Sequence, residues 1–428
     1  MRRTGLGGVG VACVTALALG NAARSLPAPA PCRPVAAGEN LPLRLAVAPP
    51  GTRLCLAPGA WHGPLRVPAG VTLSGPREAV LSGGDTVVTL AGADSALEGV
   101  TLEGSGRRFD RMDAALFVMG DRARVEGVRI RGALFGIRAE RVRGLVIRAN
   151  EITGDPSRPF GLRGDGIRLW EVTGSHVADN RLADGRDLVA WYASGNRFER
   201  NRVERGRYGL HFMYSHDNLT QGNVFADDVV GVFVMYSRRV TLVGNQFLRA
   251  GGAAGIGLGV KEAGDLLVRG NSFVANTTGV FVDTNAGDPG ERNRFEANEF
   301  RFHDHALLFH GAVEHNEFRG NRFRDNRVSV AVEGRGDARA ALWRGNEWDE
   351  YVGYDLDGDG VGDLPHQATS LSSDWIASIP ALAFFRGSVA LGAVEWLGRA
   401  LPLFRPTTLL VDPEPRLRLG PVGAGLGD

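Results

Sequence analysis

Two methionines and a histidine are the residues whose types and spacing most directly suggest chemistry. Met213 and Met235 each open a Met-Tyr-Ser triplet and lie 22 residues apart; His211 precedes the first by two positions, and His216 follows just after. Thioether and imidazole donors select soft or borderline ions, Cu(I) above all, and not Mg²⁺ or Ca²⁺. A second group is His303 and His305, with His310 and His315 close behind. A His-x-His pair on one strand would place both imidazoles on one face, where they could share a metal. A third group runs Asp355-Leu-Asp357-Gly-Asp359-Gly360-Val-Gly-Asp363. Asp at positions 1, 3, 5 and 9, with Gly at 6, reproduces most of the EF-hand calcium loop, but His366 stands at position 12 in place of its bidentate Glu. Calcium there would be structural, bracing the end of the molecule, with its last ligand weak or supplied from elsewhere.

Carboxylates for carbohydrate chemistry are the competing signal, because extracellular β-helices often cleave or epimerise acidic polysaccharides with acids on adjacent coils. Asp227, Asp228, Glu262, Asp283 and Asp304 qualify by type, yet none stacks on another acid at the repeat register. The expectation is therefore a protein that is not an enzyme, with a polysaccharide lyase, hydrolase or epimerase as the alternative.

The element that must position these side chains is a repeat. From Asp187 to Asn245 one pattern is written nearly three times, and Asn201, Asn223 and Asn245 follow at a constant step of 22 residues. Each unit alternates apolar and polar residues with period two, which is strand patterning, and a fixed period of this size marks a solenoid. The reading is all-β: a right-handed, single-stranded parallel β-helix over 24–350. It would have about eleven coils and a rod length of roughly 50 Å at the spacing of adjacent strands.

The core motif, apolar-x-x-Asn-x-apolar, recurs from Ile147-x-x-Asn150 to Trp343-x-x-Asn346. Asn tolerates the left-handed corner and its amide can bond coil to coil, so this column is expected to be structural. Aligned through it, Trp170, Trp191, Met213, Met235 and Lys261 share one slot. Arg168, Val189, His211, Phe233 and Gly259 share the slot two residues earlier. Leu210 and its equivalents are uniformly aliphatic and belong inside, so His211, Met213 and Met235 point outward. Longer steps after Asn245 and Asn271 predict loops at 250–254 and 283–291.

The rest of the chain frames this rod. The net charge of +1, from 49 basic and 48 acidic residues, argues against nucleic acid as a partner. Arg2-Arg3 and the apolar run that follows predict a cleavable signal peptide over 1–23, and so a periplasmic location. In that oxidising compartment the two cysteines of the mature chain, Cys32 and Cys55, are expected to pair. The calcium-like loop occupies 351–367. Beyond it, 368–428 reads as a cap of short amphipathic helices broken by Pro380, Gly387 and Pro402, ending in an extended or disordered tail from Pro406.

The stretches Tyr208-Gly-Leu-His-Phe-Met-Tyr-Ser215, Gly231-Val-Phe-Val-Met-Tyr-Ser237 and Asn346-Glu-Trp-Asp-Glu-Tyr through Asp363 resemble the NosD family, as do Ile379-Pro-Ala-Leu, Arg386-Gly-Ser and the closing Val411-Asp-Pro. The resemblance implies a periplasmic accessory protein for the maturation of nitrous oxide reductase, working with an ABC permease and its ATPase in the inner membrane. It would accept transient Cu(I) from a copper chaperone, or support sulfur delivery, for assembly of the reductase's copper–sulfur centre. The family's Met-Tyr-Ser repeats fall on Met213 and Met235, and the C-terminal helices gain a partner in the permease.

Overall fold

A computed structural model describes residues 31–252, 254–283, 290–311, 313–333, 338–370, 375, 379–385, 388–400 and 407–417. The expected signal peptide lies outside the described residues. Three parallel sheets of 14, 12 and 13 strands run along the molecule, each coil contributing one strand to each sheet. The architecture is the expected parallel solenoid, but with about thirteen turns rather than eleven. The additional turns are N-terminal, for example where Arg53–Leu56 pairs with Thr72–Ser74. Their corners are built by Pro and Gly, so a count keyed to Asn passes over them.

The interior explains why these residues stack. Phe225, Phe247, Phe273, Phe300, Phe323 and Trp348 occupy one position in successive coils, with ring centroids 5.5, 4.5, 4.8, 5.0 and 4.3 Å apart. Beside them runs the asparagine column. Asn201 is representative: its backbone N–H and its Nδ2 both donate to Asn223 Oδ1, at 2.8 and 2.9 Å, while Nδ2 also donates to the Val177 carbonyl at 2.8 Å. Every rung is buried and paired, which is what burial of a primary amide demands.

The same bonding links Asn150 through Asn180, Asn201, Asn223, Asn245, Asn271, Asn298 and Asn321 to Asn346. The last rung is not an asparagine. Asp412 Oδ2 accepts from the Asn346 N–H, from Asn346 Nδ2 and from Trp348 Nε1.

Asp412 closes a strand, Thr407–Asp412, that pairs antiparallel with His366–Ser370. Leu409 and Leu410 on it are buried, so of the two expectations for the tail from Pro406, extended or disordered, the extended one holds over this strand. At the other end, helix Leu41–Ala46, capped by Asn40, buries Leu41 and Leu45 against the first coils. Cys32 and Cys55 form the expected disulfide. The C-terminal helices are present as Pro380–Phe385 and Val389–Ala400. Among the described residues no helix is long and apolar enough to cross a membrane.

Candidate metal centre

The centre lies on the outer face of the 12-stranded sheet, where Tyr208–Met213 pairs with Val230–Met235. Leu210, Phe212, Val232 and Val234 fill the core, which turns His211, Met213 and Met235 to the other face. Met213 is in register with Met235, and His211 with Phe233. The imidazole leans diagonally along the sheet and brings Nε2 to 3.4 Å from Met235 Sδ.

This face is outward but roofed. His211 is only 6% exposed, while Met213 and Met235 remain half-buried. Tyr208 lies 4.8 Å from the imidazole, and Trp191 stands perpendicular to it at 5.5 Å. Phe233 lies over Gly259 of the next coil, where a Cβ would come within 2.8 Å of the ring. Burial pushes the His211 imidazole down to about 4, so the ring is neutral at physiological pH.

The indole N–H of Trp191 donates to His211 Nδ1 at 3.3 Å. Nδ1 is therefore the acceptor, and the neutral ring carries its proton on Nε2, directed at the Met235 sulfur. Trp191 is itself held. The Arg168 guanidinium sits 4.6 Å above its ring and bonds at 3.0 Å to Asp165, which is fully buried. The column alignment placed Trp191 beside the methionines but did not reveal this hydrogen bond.

The Met-Tyr-Ser triplet has a local rationale. Met points outward, and the following tyrosines, like Tyr192 after Trp191 one coil earlier, take the left-handed corner: Tyr192, Tyr214 and Tyr236 have φ of 51°, 50° and 50°. Ser then turns inward, where Ser215 N donates to Ser237 Oγ at 2.9 Å. The tyrosine rings stack at 5.2 and 4.9 Å, nearly parallel, as a wall beside the sulfurs.

His216 lies on the turn into the next sheet. Its Nδ1 accepts from the Arg238 backbone N–H, and burial together with Arg239 and Arg238 lowers its basicity. His303 and His305 are not brought together as a metal pair. His303 is buried in a corner column, where Nδ1 accepts from Asn276 N at 3.1 Å and Nε2 donates to the Phe273 carbonyl at 3.1 Å. Both nitrogens are committed, so the ring does the work of an asparagine. His305 opens a separate strand, His305–Phe309.

Asp355, Asp357 and Asp359 do converge, with carboxylate oxygens within 4.8 Å of one another. Asp363 accepts from Leu356 N at 2.7 Å and closes the loop. His366 is instead buried and stacks on Trp348 at 4.7 Å, away from a position-12 ligand role.

A family model described as periplasmic copper-binding protein (NosD) matches residues 143–353, which contain the whole centre. A protein of Pseudomonas aeruginosa named "Probable ABC transporter binding protein NosD" is 30% identical over 89% of this chain and 91% of its own. The chain belongs to the NosD family. A protein of Stutzerimonas stutzeri that carries the same name is 27% identical over 77% of this chain and 78% of its own.

Among solved structures, the A-module of a mannuronan C-5 epimerase from Azotobacter vinelandii superposes with a TM-score of 0.53 at 16% identity, covering 68% of this chain and 90% of that module. An α-1,3-glucanase catalytic unit from Streptomyces thermodiastaticus gives 0.54 at 16%, covering 71% of this chain and 65% of that unit. At such identities these neighbours show the shared solenoid fold alone.

Proposed function

We propose that this chain is a periplasmic accessory protein that accepts Cu(I) on His211, Met213 and Met235. It works with an ABC permease and its ATPase, receives the ion from a copper chaperone and supports maturation of nitrous oxide reductase. The observation that carries the reading is the 3.4 Å approach of His211 Nε2 to Met235 Sδ, with Met213 in register one strand away. The donor set is soft and neutral, with its imidazole desolvated, which suits Cu(I) and would hold a hard cation poorly. The family model's description as a periplasmic copper-binding protein and the relatives' names as ABC transporter binding proteins support the setting.

A non-catalytic role is favoured by how the carboxylates are engaged. Asp227 is paired with Arg249, Asp283 with Lys261 and Asp304 with Arg327, while Asp228 is buried. Competition for Cu(I) against a chromogenic chelator tests the site. Met213→Ser/Met235→Ser should lose at least about tenfold in affinity, ~1.4 kcal/mol. Affinity equal to the parent's would move the site elsewhere. The Asp355 loop is proposed to take Ca²⁺ in a structural role.

A further inference from the structure

Metal and hydrogen bond compete for the same ring. A cation can be held at His211 Nε2 only by a lone pair, yet the hydrogen bond from Trp191 Nε1 to Nδ1 leaves Nε2 carrying the proton. That proton faces Met235 Sδ, so the sulfur and the imidazole already satisfy one another in the metal-free protein. We propose that Trp191 is a latch on the centre, holding His211 in the tautomer that rejects a soft cation until the Trp191–His211 hydrogen bond breaks. This rests on the Cu(I) reading above and adds to it how the ion is admitted and released.

The exchange balances without net proton release. The Nε2 proton passes to water, a water proton arrives at Nδ1, and the vacated Nε2 lone pair takes the cation. Nδ1 then bears a hydrogen and can no longer accept from the indole, so Trp191 has to turn away. When the ion departs, the indole N–H draws the ring back to its first tautomer. The latch thereby subtracts the free energy of one part-buried hydrogen bond from the binding of the cargo, a several-fold weakening. That suits a protein that must pass its ion on.

The surroundings hold Trp191 in one defined position rather than as a loose side chain. Arg168 covers one of its faces, anchored by Asp165, and Trp170 packs against it at 5.9 Å. The other charged groups near His211 are Asp187 and Arg207, which are paired with each other, so neither needs the imidazole as a partner.

Two measurements test the latch. Nitrogen NMR of the metal-free protein should show His211 protonated on Nε2 and unprotonated on Nδ1, and Cu(I), or Ag(I) as its redox-inert substitute, should reverse that pattern and shift the Trp191 indole signal. Trp191→Phe, which keeps a ring under Arg168 but removes the N–H, should bind Cu(I) several-fold more tightly in the chelator competition. A metal-free His211 protonated on Nδ1 overturns the latch, whatever the metal data show. So does Trp191→Phe binding no more tightly than the parent while His211→Ala binds more weakly; in that case the site stands without its latch. If His211→Ala and the double methionine variant both bind like the parent, the site itself is lost and the latch with it. Should Trp191→Phe melt far below the parent, the tautomer measurement on the unaltered protein decides alone.

Discussion

Three histidines show how one residue type serves different ends according to what surrounds it. Burial lowers His211, His303 and His366 to about 4 in each case. A neutral imidazole in the folded protein meets an unfolded chain that protonates near 6.5, so the unfolded state binds more protons throughout that window. Stability is thus full above the unfolded value, declines as pH falls from there, and the contribution is gone below about 4. Denaturant titrations at pH 7 and pH 5 should differ by on the order of 2 kcal/mol per histidine, and an identical midpoint at both would contradict the burial described.

His303→Ala should cost about 2–4 kcal/mol by stranding Asn276 N and the Phe273 carbonyl, yet leave Cu(I) affinity unchanged. Weakened Cu(I) binding would reinstate His303 as a ligand. The shared face of His211, Met213 and Met235 was legible in sequence because the repeat fixes both their spacing and their side of the strand. Their roofing by Trp191 and Tyr208 was not, since it depends on how side chains lean between coils. His303 misled for the opposite reason: its type suggested a ligand, while its place in a corner column made it a spacer.

At the scale of the coil, the asparagine column and the phenylalanine stack together decide register. A shift of one residue would exchange core and solvent faces along a whole strand and break every rung at once. Asn245→Ala should therefore leave the Asn223 N–H and amide without their acceptor and cost about 2–4 kcal/mol, read as a lower denaturation midpoint. A change under about 0.5 kcal/mol would mean that water replaces the rung. Asp412→Ala should cost a similar ~2–4 kcal/mol, because three donors converge on one oxygen, whereas Asp412→Asn keeps an acceptor and should cost less. The asparagine rungs could be read from the sequence since each repeats its neighbour. The terminal carboxylate could not, because its strand is remote in sequence from Asn346 and lacks the repeat's pattern.

For the whole molecule, the two ends are secured by different means. Reduction of Cys32–Cys55, 23 residues apart, should lower stability by about 3 kcal/mol on the loop-entropy account. Chelation should lower the melting temperature if Ca²⁺ fills the Asp355 loop, since a ligand bound only to the folded state stabilises it; equal melting with and without chelator would remove that proposal. The solenoid class was evident from periodicity alone, but the number of turns was not, because the N-terminal corners use Pro and Gly.

Asp412 also bears on how such a chain is completed. Polypeptides emerge amino end first, and each turn can settle on the one before it as it appears. Asn346, however, must wait for a carboxylate 66 residues downstream before its donors are quenched. Any product cut short of that point, whether by premature termination or by a protease, keeps an open, sticky edge on its final turn. The solenoid is thus sealed by a single acid supplied from beyond its last turn.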